Sequence, residues 1–210
     1  MRKFTKEQAV KTVCDCAFRY QENLMNRSLL FVTMDKHKCL DTVEVFFTKH
    51  NFLHLTGLKV DRSNISAKRF FDMCINKKLS INDFNFADDG TTDLKLLVLP
   101  FLISKNLKAD SIGEFNESGV DLYTEKLVGG VKGCIGVRAD KLTGLLVPNT
   151  VLNKDIRECT KQPRARIIVT YRKNDSDKAY SEIVYTAKKI EWAKIQFPAM
   201  YSYLPKPMQD

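Results

Sequence analysis

The hydrophobic periodicity changes near residue 110, and this change constrains the fold more than any other feature of the sequence. Before it, apolar residues recur at intervals of three or four from Val13 to Leu24, which predicts a helix over residues 5–25 with Thr5 as its N-cap. After it, short apolar runs separated by turn signals favour strands. Helices followed by a series of strands predict a single α+β domain, helix-rich to about residue 109, with the helices packed on an antiparallel β-sheet.

Further elements follow from local patterns in each half of the chain. In the first half, apolar runs at 29–34 and 39–48 fit a hairpin, and residues 52–58 are predicted to form a third strand that ends at Gly57. Two more helices are predicted there, one capped by Ser66 and one opened by Thr91 or Thr92 and kinked or ended by Pro100.

In the second half, six strands are predicted, over residues 112–115, 122–128, 133–138, 142–149, 165–171 and 180–186. Gly129-Gly130 and Thr143-Gly144 are the expected hairpin turns between them. Residues 153–160 are predicted to form a short helical turn, 174–177 a polar loop, and 190–204 a helix with a proline-bound tail.

The charge balance favours an anionic partner. Lys and Arg number 34 against 25 Asp and Glu, which gives a formal net charge of +9. Nucleic acid is the first candidate, although many basic proteins bind no particular polyanion. The longest apolar run, 96–103, is far shorter than the roughly 20 residues that cross a bilayer, and the N-terminus lacks the apolar core of a signal peptide. Six scattered cysteines without a C-x-x-C pair indicate reduced thiols. We therefore expect a cytoplasmic protein that uses no membrane, metal or cofactor.

Most catalytic motifs are absent from the sequence, including H-E-x-x-H, the phosphate-binding P-loop and G-x-S-x-G. The stretch from Gly130 to Gly133 has the G-x-x-G form of a KH loop, but its strand-like flanks favour a β-turn. An acidic cluster could hold a divalent ion, although a solvated loop with a helix cap explains it better. That cluster consists of Asp83, Asp88, Asp89 and Asp93.

The segment Asn-Phe-Leu-His-Leu-Thr-Gly-Leu-Lys at 51–59 is the sharpest candidate for a catalytic site. On a strand, Phe52, His54 and Thr56 share one face. A histidine, a hydroxyl and the nearby Lys59 can remove a proton from a 2′-hydroxyl and stabilise a phosphate without metal. The alternative is a strand histidine bonded locally, with Thr56-Gly57 forming the turn, and spacing alone favours this alternative.

Basic residues are concentrated in two stretches, 59–78 and 154–173, of which the second is denser. Its side chains suit contacts to phosphates, and a tyrosine lies among them, but a solvated surface would have the same composition. The candidate nucleic-acid-binding residues are Arg157, Lys161, Arg164, Arg166, Tyr171, Arg172 and Lys173.

The order of four short motifs resembles a known family. These are Asn-Phe-Leu-His-Leu-Thr-Gly at 51–57, Phe70-Phe71, Gly-Thr-Thr-Asp-Leu-Lys at 90–95 and Pro-Asn-Thr at 148–150. Over roughly residues 5–190, the chain resembles the fourth phage branch of the barnase–EndoU–colicin E5/D–RelE-like nucleases. The resemblance implies a compact α+β fold, a phage or mobile-element origin and metal-independent ribonuclease activity. It also implies functional roles for two sets of residues, His54 with Thr56, and Thr91 and Thr92 with Lys95.

Two functions from different classes remain open. The first is RNA cleavage by 2′-hydroxyl transesterification, with His54 as general base or acid and Thr56 orienting it or bonding a phosphate oxygen. In that mechanism Lys59, together with Lys95 or Arg166, offsets the charge at phosphorus. The second is a non-catalytic phage module that binds RNA or a host ribonucleoprotein, for example as an inhibitor of a CRISPR effector.

Overall fold

A computed structural model describes residues 4–116, 123–162 and 164–208 of the chain. Within these ranges it has five α-helices and eight β-strands. The helices are α1 Lys6–Asn23, α2 Lys49–Thr56, α3 Ala67–Ile75, α4 Thr91–Leu102 and α5 Ile156–Cys159. The strands are β1 Arg27–Met34, β2 Leu40–Phe47, β3 Ser111–Glu114, β4 Lys126–Gly130, β5 Gly133–Ala139, β6 Leu146–Leu152, β7 Ala165–Asn174 and β8 Glu182–Thr186.

The eight strands form one sheet whose pairings return to their starting point. The strand order is β1-β2-β6-β5-β4-β3-β7-β8, and β1 also pairs with β7. Seven strands therefore form a closed ring, and β8 lies beside β7. The pairings are antiparallel except where β2 meets β6 in parallel through Val45 and Leu146. The predicted α+β fold, with helices on a mainly antiparallel sheet in one domain, is confirmed.

Aromatic side chains hold the first three helices together on the sheet. The ring of Tyr20 on α1 lies 5.2 Å from that of Phe52 on α2, and Phe52 lies 5.3 Å from Phe71 on α3. All three rings are buried. The Tyr20 hydroxyl donates to the Thr48 carbonyl, 2.9 Å away, at the start of α2. Buried aromatic pairs in such tilted or edge-to-face geometry add to the stabilisation from area burial, so the position of α2 is well determined.

The predicted strand at 52–58 is wrong, because these residues belong largely to α2. Alternating polar and apolar residues over so short a segment do not separate a strand from a helix. The helix begins after Thr48, whose extended backbone precedes it. It ends at Gly57, which has a left-handed φ of 71° that favours glycine. Phe52, His54 and Thr56 therefore do not share a face.

Other local predictions hold with shifted boundaries. Thr5 and Ser66 cap α1 and α3 as predicted. Helix α4, however, has Gly90 at its N-cap, and the helix continues two residues past Pro100. The tail at 190–204 forms two 3-10 turns, Trp192–Lys194 and Ala199–Tyr201, instead of one helix.

One expected hairpin turn and the start of one expected strand lie at other residues than predicted. Gly129 and Gly130 lie in β4 and pair with β5, so the hairpin turn falls on Val131 and Lys132. The turn at Thr143-Gly144 is confirmed, with Gly144 at a φ of 70°. The Asp140 carboxylate holds this turn by accepting from the backbone N–H groups of Leu142 and Thr143. Strand β6 therefore begins at Leu146, and not at residue 142 as predicted. Residue 122, the predicted start of β4, lies outside the described residues.

Within the described ranges, every helix is too short or too polar to cross a membrane.

Candidate active site

Helix α2 is fixed at its beginning by the side chain of Asn51. The Asn51 amide oxygen accepts from the Thr48 backbone N–H at 2.8 Å and from the Thr48 hydroxyl at 2.9 Å. Its amide nitrogen donates to the Pro148 carbonyl of β6 at 3.1 Å. Asn51 is buried. The motifs at 51–57 and 148–150, which are distant in the sequence, are therefore joined by a hydrogen bond.

The end of α2 is fixed by contacts with α4. The Thr92 hydroxyl donates to the Gly57 carbonyl at 2.7 Å and accepts from the Ala87 N–H at 2.9 Å. A Cβ added at Gly57 would lie 2.8 Å from Cδ of Lys95, so the lysine chain passes directly over the glycine. Lys95 Nζ then donates to the His54 carbonyl at 3.2 Å. The glycine, the threonine and the lysine of the two motifs thus form one junction.

The positive charges of Arg62, Arg138 and Lys95 act on the imidazole of His54, and we call these four residues the His54 cluster. The pKa of His54 is lowered, first by partial burial of the ring and then by the positive charges of Arg62, Arg138 and Lys95. Burial also lowers the pKa of Lys95. An imidazole with a lowered pKa is neutral at neutral pH and can accept a proton, while the surrounding cations attract an anion. This arrangement suits a base that acts beside an anionic ligand.

Sequence reasoning missed two members of this cluster. Arg62 lies in the turn after α2 and was counted only within a basic stretch, and Arg138 lies at the end of β5. The backbone on both sides of Arg138 is held by Glu125, whose N–H donates to the Val137 carbonyl and whose carboxylate accepts from the Ala139 N–H. The charge of Arg138 acts on His54 because α2 packs on β6, the neighbour of β5 in the sheet, so no local sequence signal could have identified it.

The other predicted catalytic residues lie outside the cluster. Thr56 is buried, and its hydroxyl donates to the Leu53 carbonyl at 2.8 Å and accepts from the Leu58 N–H at 3.1 Å. These two bonds give the hydroxyl a structural role at the end of α2. Lys59 Nζ lies 3.3 Å from the Asp88 carboxylate in an exposed ion pair. The Thr91 hydroxyl donates to Asp89 at 2.8 Å.

The predicted nucleic-acid-binding stretch is divided among several ion pairs. Arg157 Nε lies 2.8 Å from Asp155, Arg172 forms two bonds of 2.7 and 2.8 Å with Glu182, and Lys173 Nζ lies 3.7 Å from Glu44. Such pairs partly neutralise the positive field that would attract phosphates. Lys161 and Arg166 are exposed, and Arg166 donates to the Lys188 carbonyl.

Two residues of that stretch are turned inward. Tyr171 is fully buried and its hydroxyl donates to the Pro205 carbonyl at 2.7 Å, so its ring cannot stack on a base in this fold. One terminal nitrogen of the Arg164 guanidinium is buried with no hydrogen-bond partner among the described residues. Tyr171 therefore packs in the core of the described structure, and its expected role in nucleic-acid binding stays a prediction.

The acidic cluster does not form a metal site in the part of the chain that the structure describes, where His, Cys, Asp and Glu are nowhere grouped in threes around a common point. Its members bind separate partners. Asp83 accepts from the Ser80 N–H, Asp89 from the Thr91 N–H and Asp93 from the Phe4 N–H, while Asp88 pairs with Lys59.

An α+β fold with a histidine whose pKa is lowered by the charges of three cations defines a basic, histidine-centred candidate site. A comparison of the sequence with models of protein families identifies the family. Residues 12–189 match the model of the phage-Barnase-EndoU-ColicinE5/D-RelE like nuclease 4 family, and the chain belongs to that family. The predicted resemblance is thereby confirmed. Searches of curated proteins and of solved structures found no match.

Proposed function

We propose that the protein is a metal-independent ribonuclease that cleaves RNA by transesterification at the 2′-hydroxyl. The observation that carries the proposal is the His54 cluster, in which burial and the charges of Arg62, Arg138 and Lys95 lower the pKa of the imidazole and Lys95 also bonds the His54 backbone. Membership of a nuclease-like family supports nucleic acid as the substrate. The choice of RNA rests on the chemistry, since an imidazole base can activate the 2′-hydroxyl that RNA carries beside each phosphate.

In the proposed reaction, neutral His54 removes the 2′-hydroxyl proton while the 2′-oxygen attacks phosphorus. The bond from phosphorus to the 5′-oxygen breaks, which yields a 2′,3′-cyclic phosphate and a 5′-hydroxyl. Negative charge grows on the non-bridging oxygens during this step, and the guanidinium groups of Arg62 and Arg138 stabilise it. Lys95 contributes positive charge from the opposite helix and holds the His54 backbone. Thr56 and Lys59 have no part in this mechanism.

The test is incubation of the pure protein with end-labelled RNA, with and without EDTA. We expect cleavage that EDTA leaves unchanged and products that carry 2′,3′-cyclic phosphate. Replacing His54 by Gln should reduce the rate about 10²–10⁴-fold, the usual contribution of general acid–base catalysis. The matched control is His37→Gln, since His37 is an exposed histidine in the turn between β1 and β2.

Three outcomes contradict the proposal. These are cleavage that EDTA abolishes, equal cleavage of an all-deoxy strand, and a His54→Gln variant as fast as wild type. RNA that is bound at the His54 cluster without any product would favour the non-catalytic binding module instead.

A further inference from the structure

Helix α2 carries a second imidazole on the same side as His54. His50 and His54 are both exposed, whereas Asn51, Leu53 and Leu55 are buried. Residues four apart on a helix are neighbours, with Cβ atoms about 5–6 Å apart. The two histidines are therefore neighbours at the surface, whereas residues four apart on a strand would be separated by about 13 Å. On the expected strand, His54 would have shared its face with Thr56.

The proposed cleavage needs a group that the His54 cluster does not supply. The 5′-oxygen leaves as a poor leaving group unless it receives a proton as its bond to phosphorus breaks. Lys95 Nζ is committed to the His54 carbonyl, and Lys49 Nζ lies 3.1 Å from the Asp72 carboxylate. The Thr48 hydroxyl donates to Asn51. Among the described residues, none hydrogen-bonds to the ring of His50, which leaves its nitrogens available to a substrate.

We propose that His50 is the general acid that protonates the 5′-oxygen while His54 acts as the base, an inference that rests on the proposed ribonuclease function. His54 gains the proton of the 2′-hydroxyl, and His50 loses its own proton to the leaving oxygen. The proton count therefore balances, and exchange with water restores both imidazoles. The spacing of one helical turn lets the two rings contact opposite sides of a single phosphate.

The experiment compares two RNA oligonucleotides of the same sequence. The bond that the wild-type protein cleaves is first mapped, and a second oligonucleotide is made with sulfur in place of the bridging 5′-oxygen at that bond. A thiolate leaves without protonation, because thiols are far more acidic than alcohols. The sulfur substrate thus removes the need for an acid and retains the need for a base.

With His50→Gln, we expect a loss of about 10²–10⁴-fold on the oxygen substrate and less than about tenfold on the sulfur substrate. With His54→Gln, we expect a large loss on both substrates. His37→Gln should cleave both at the wild-type rate. Circular dichroism confirms that each variant keeps its helical content, which the exposure of all three histidines favours.

Equal losses on both substrates in His50→Gln would overturn the acid role while leaving the proposed function intact. A His50→Gln variant with full activity on the oxygen substrate would overturn it as well. A wild-type protein that cleaves neither substrate would refute the proposed function, and the role of His50 with it.

Discussion

Replacing Asn51 by Ala should destabilise the protein more than any other single change at a polar residue of α2. The Asn51 amide makes three hydrogen bonds, two from Thr48 and one to the Pro148 carbonyl, and the side chain is buried. A typical intramolecular hydrogen bond contributes about 1 kcal/mol net, and a buried group left without a partner costs about 1–3 kcal/mol. Because Asn51→Ala removes all three bonds, we expect the free energy of unfolding to fall by about 2–4 kcal/mol.

Urea denaturation followed by circular dichroism measures this change through the shift in midpoint at constant slope. Asn76→Ala is the matched control, since Asn76 is exposed and its amide makes one bond, to the Asp72 carbonyl at 2.7 Å. That variant should lose no more than about 0.5 kcal/mol, as is usual for a surface substitution. If the two variants lose the same free energy, the bridge between α2 and β6 does not stabilise the fold and our reasoning is wrong.

Three further predictions concern the His54 cluster and its supporting turn. Arg138→Gln should raise the pKa of His54, because it removes one of the positive charges that oppose protonation of the imidazole. NMR titration of the His54 ring measures this pKa, and the control variant Arg157→Gln should leave the pKa unchanged. Since the pKa of His54 is lowered on folding, the unfolded chain takes up the proton first as pH falls below about 6.5, and stability is lost there. His54→Gln should flatten that loss in urea titrations at several pH values. Gly57→Ala should lower the free energy of unfolding by about 1–2 kcal/mol because of the left-handed backbone at this position, and by more because the Lys95 side chain, 2.8 Å from the new Cβ, must move. Gly144→Ala has the same kind of backbone but meets no neighbour within 4 Å, so it should cost less. Equal urea midpoints for the two variants would contradict this.

Local sequence patterns were sufficient where an element is long or carries its own signals. Helix α1 was predicted from its apolar spacing and from Thr5, and the β1–β2 hairpin from two apolar runs around a polar turn. Helix α2 was not predicted, because its eight residues are too few for the helical period to differ from alternation. Tertiary contacts stabilise this segment as a helix, namely the hydrogen bond from Asn51 to Pro148 and the burial of Phe52 between α1 and α3.

The candidate site was predicted in part. His54 and Lys95 were identified through motifs that resemble the family, and the structure brings them together. Arg138 and His50 were missed for different physical reasons. The position of Arg138 relative to His54 depends on the packing of α2 on the neighbouring strand β6, whereas the closeness of His50 and His54 depends only on the helix. The burial of Tyr171 was not predicted, because basic neighbours in sequence do not show which face of β7 is buried.

Strand β1 pairs with one strand that follows it closely in the sequence and with another that is synthesised much later. Strand β1 bonds to β2 along one edge and to β7 along the other, so that Arg27 faces Phe47 on one side and Asn174 on the other. During synthesis, the second edge of β1 stays open until more than a hundred further residues have left the ribosome. Contacts of such high sequence separation slow folding, and an unpaired apolar edge invites pairing with another chain. Nascent chains that stop before β7 should therefore aggregate, while release of the complete strand should allow the ring to close and protect β1.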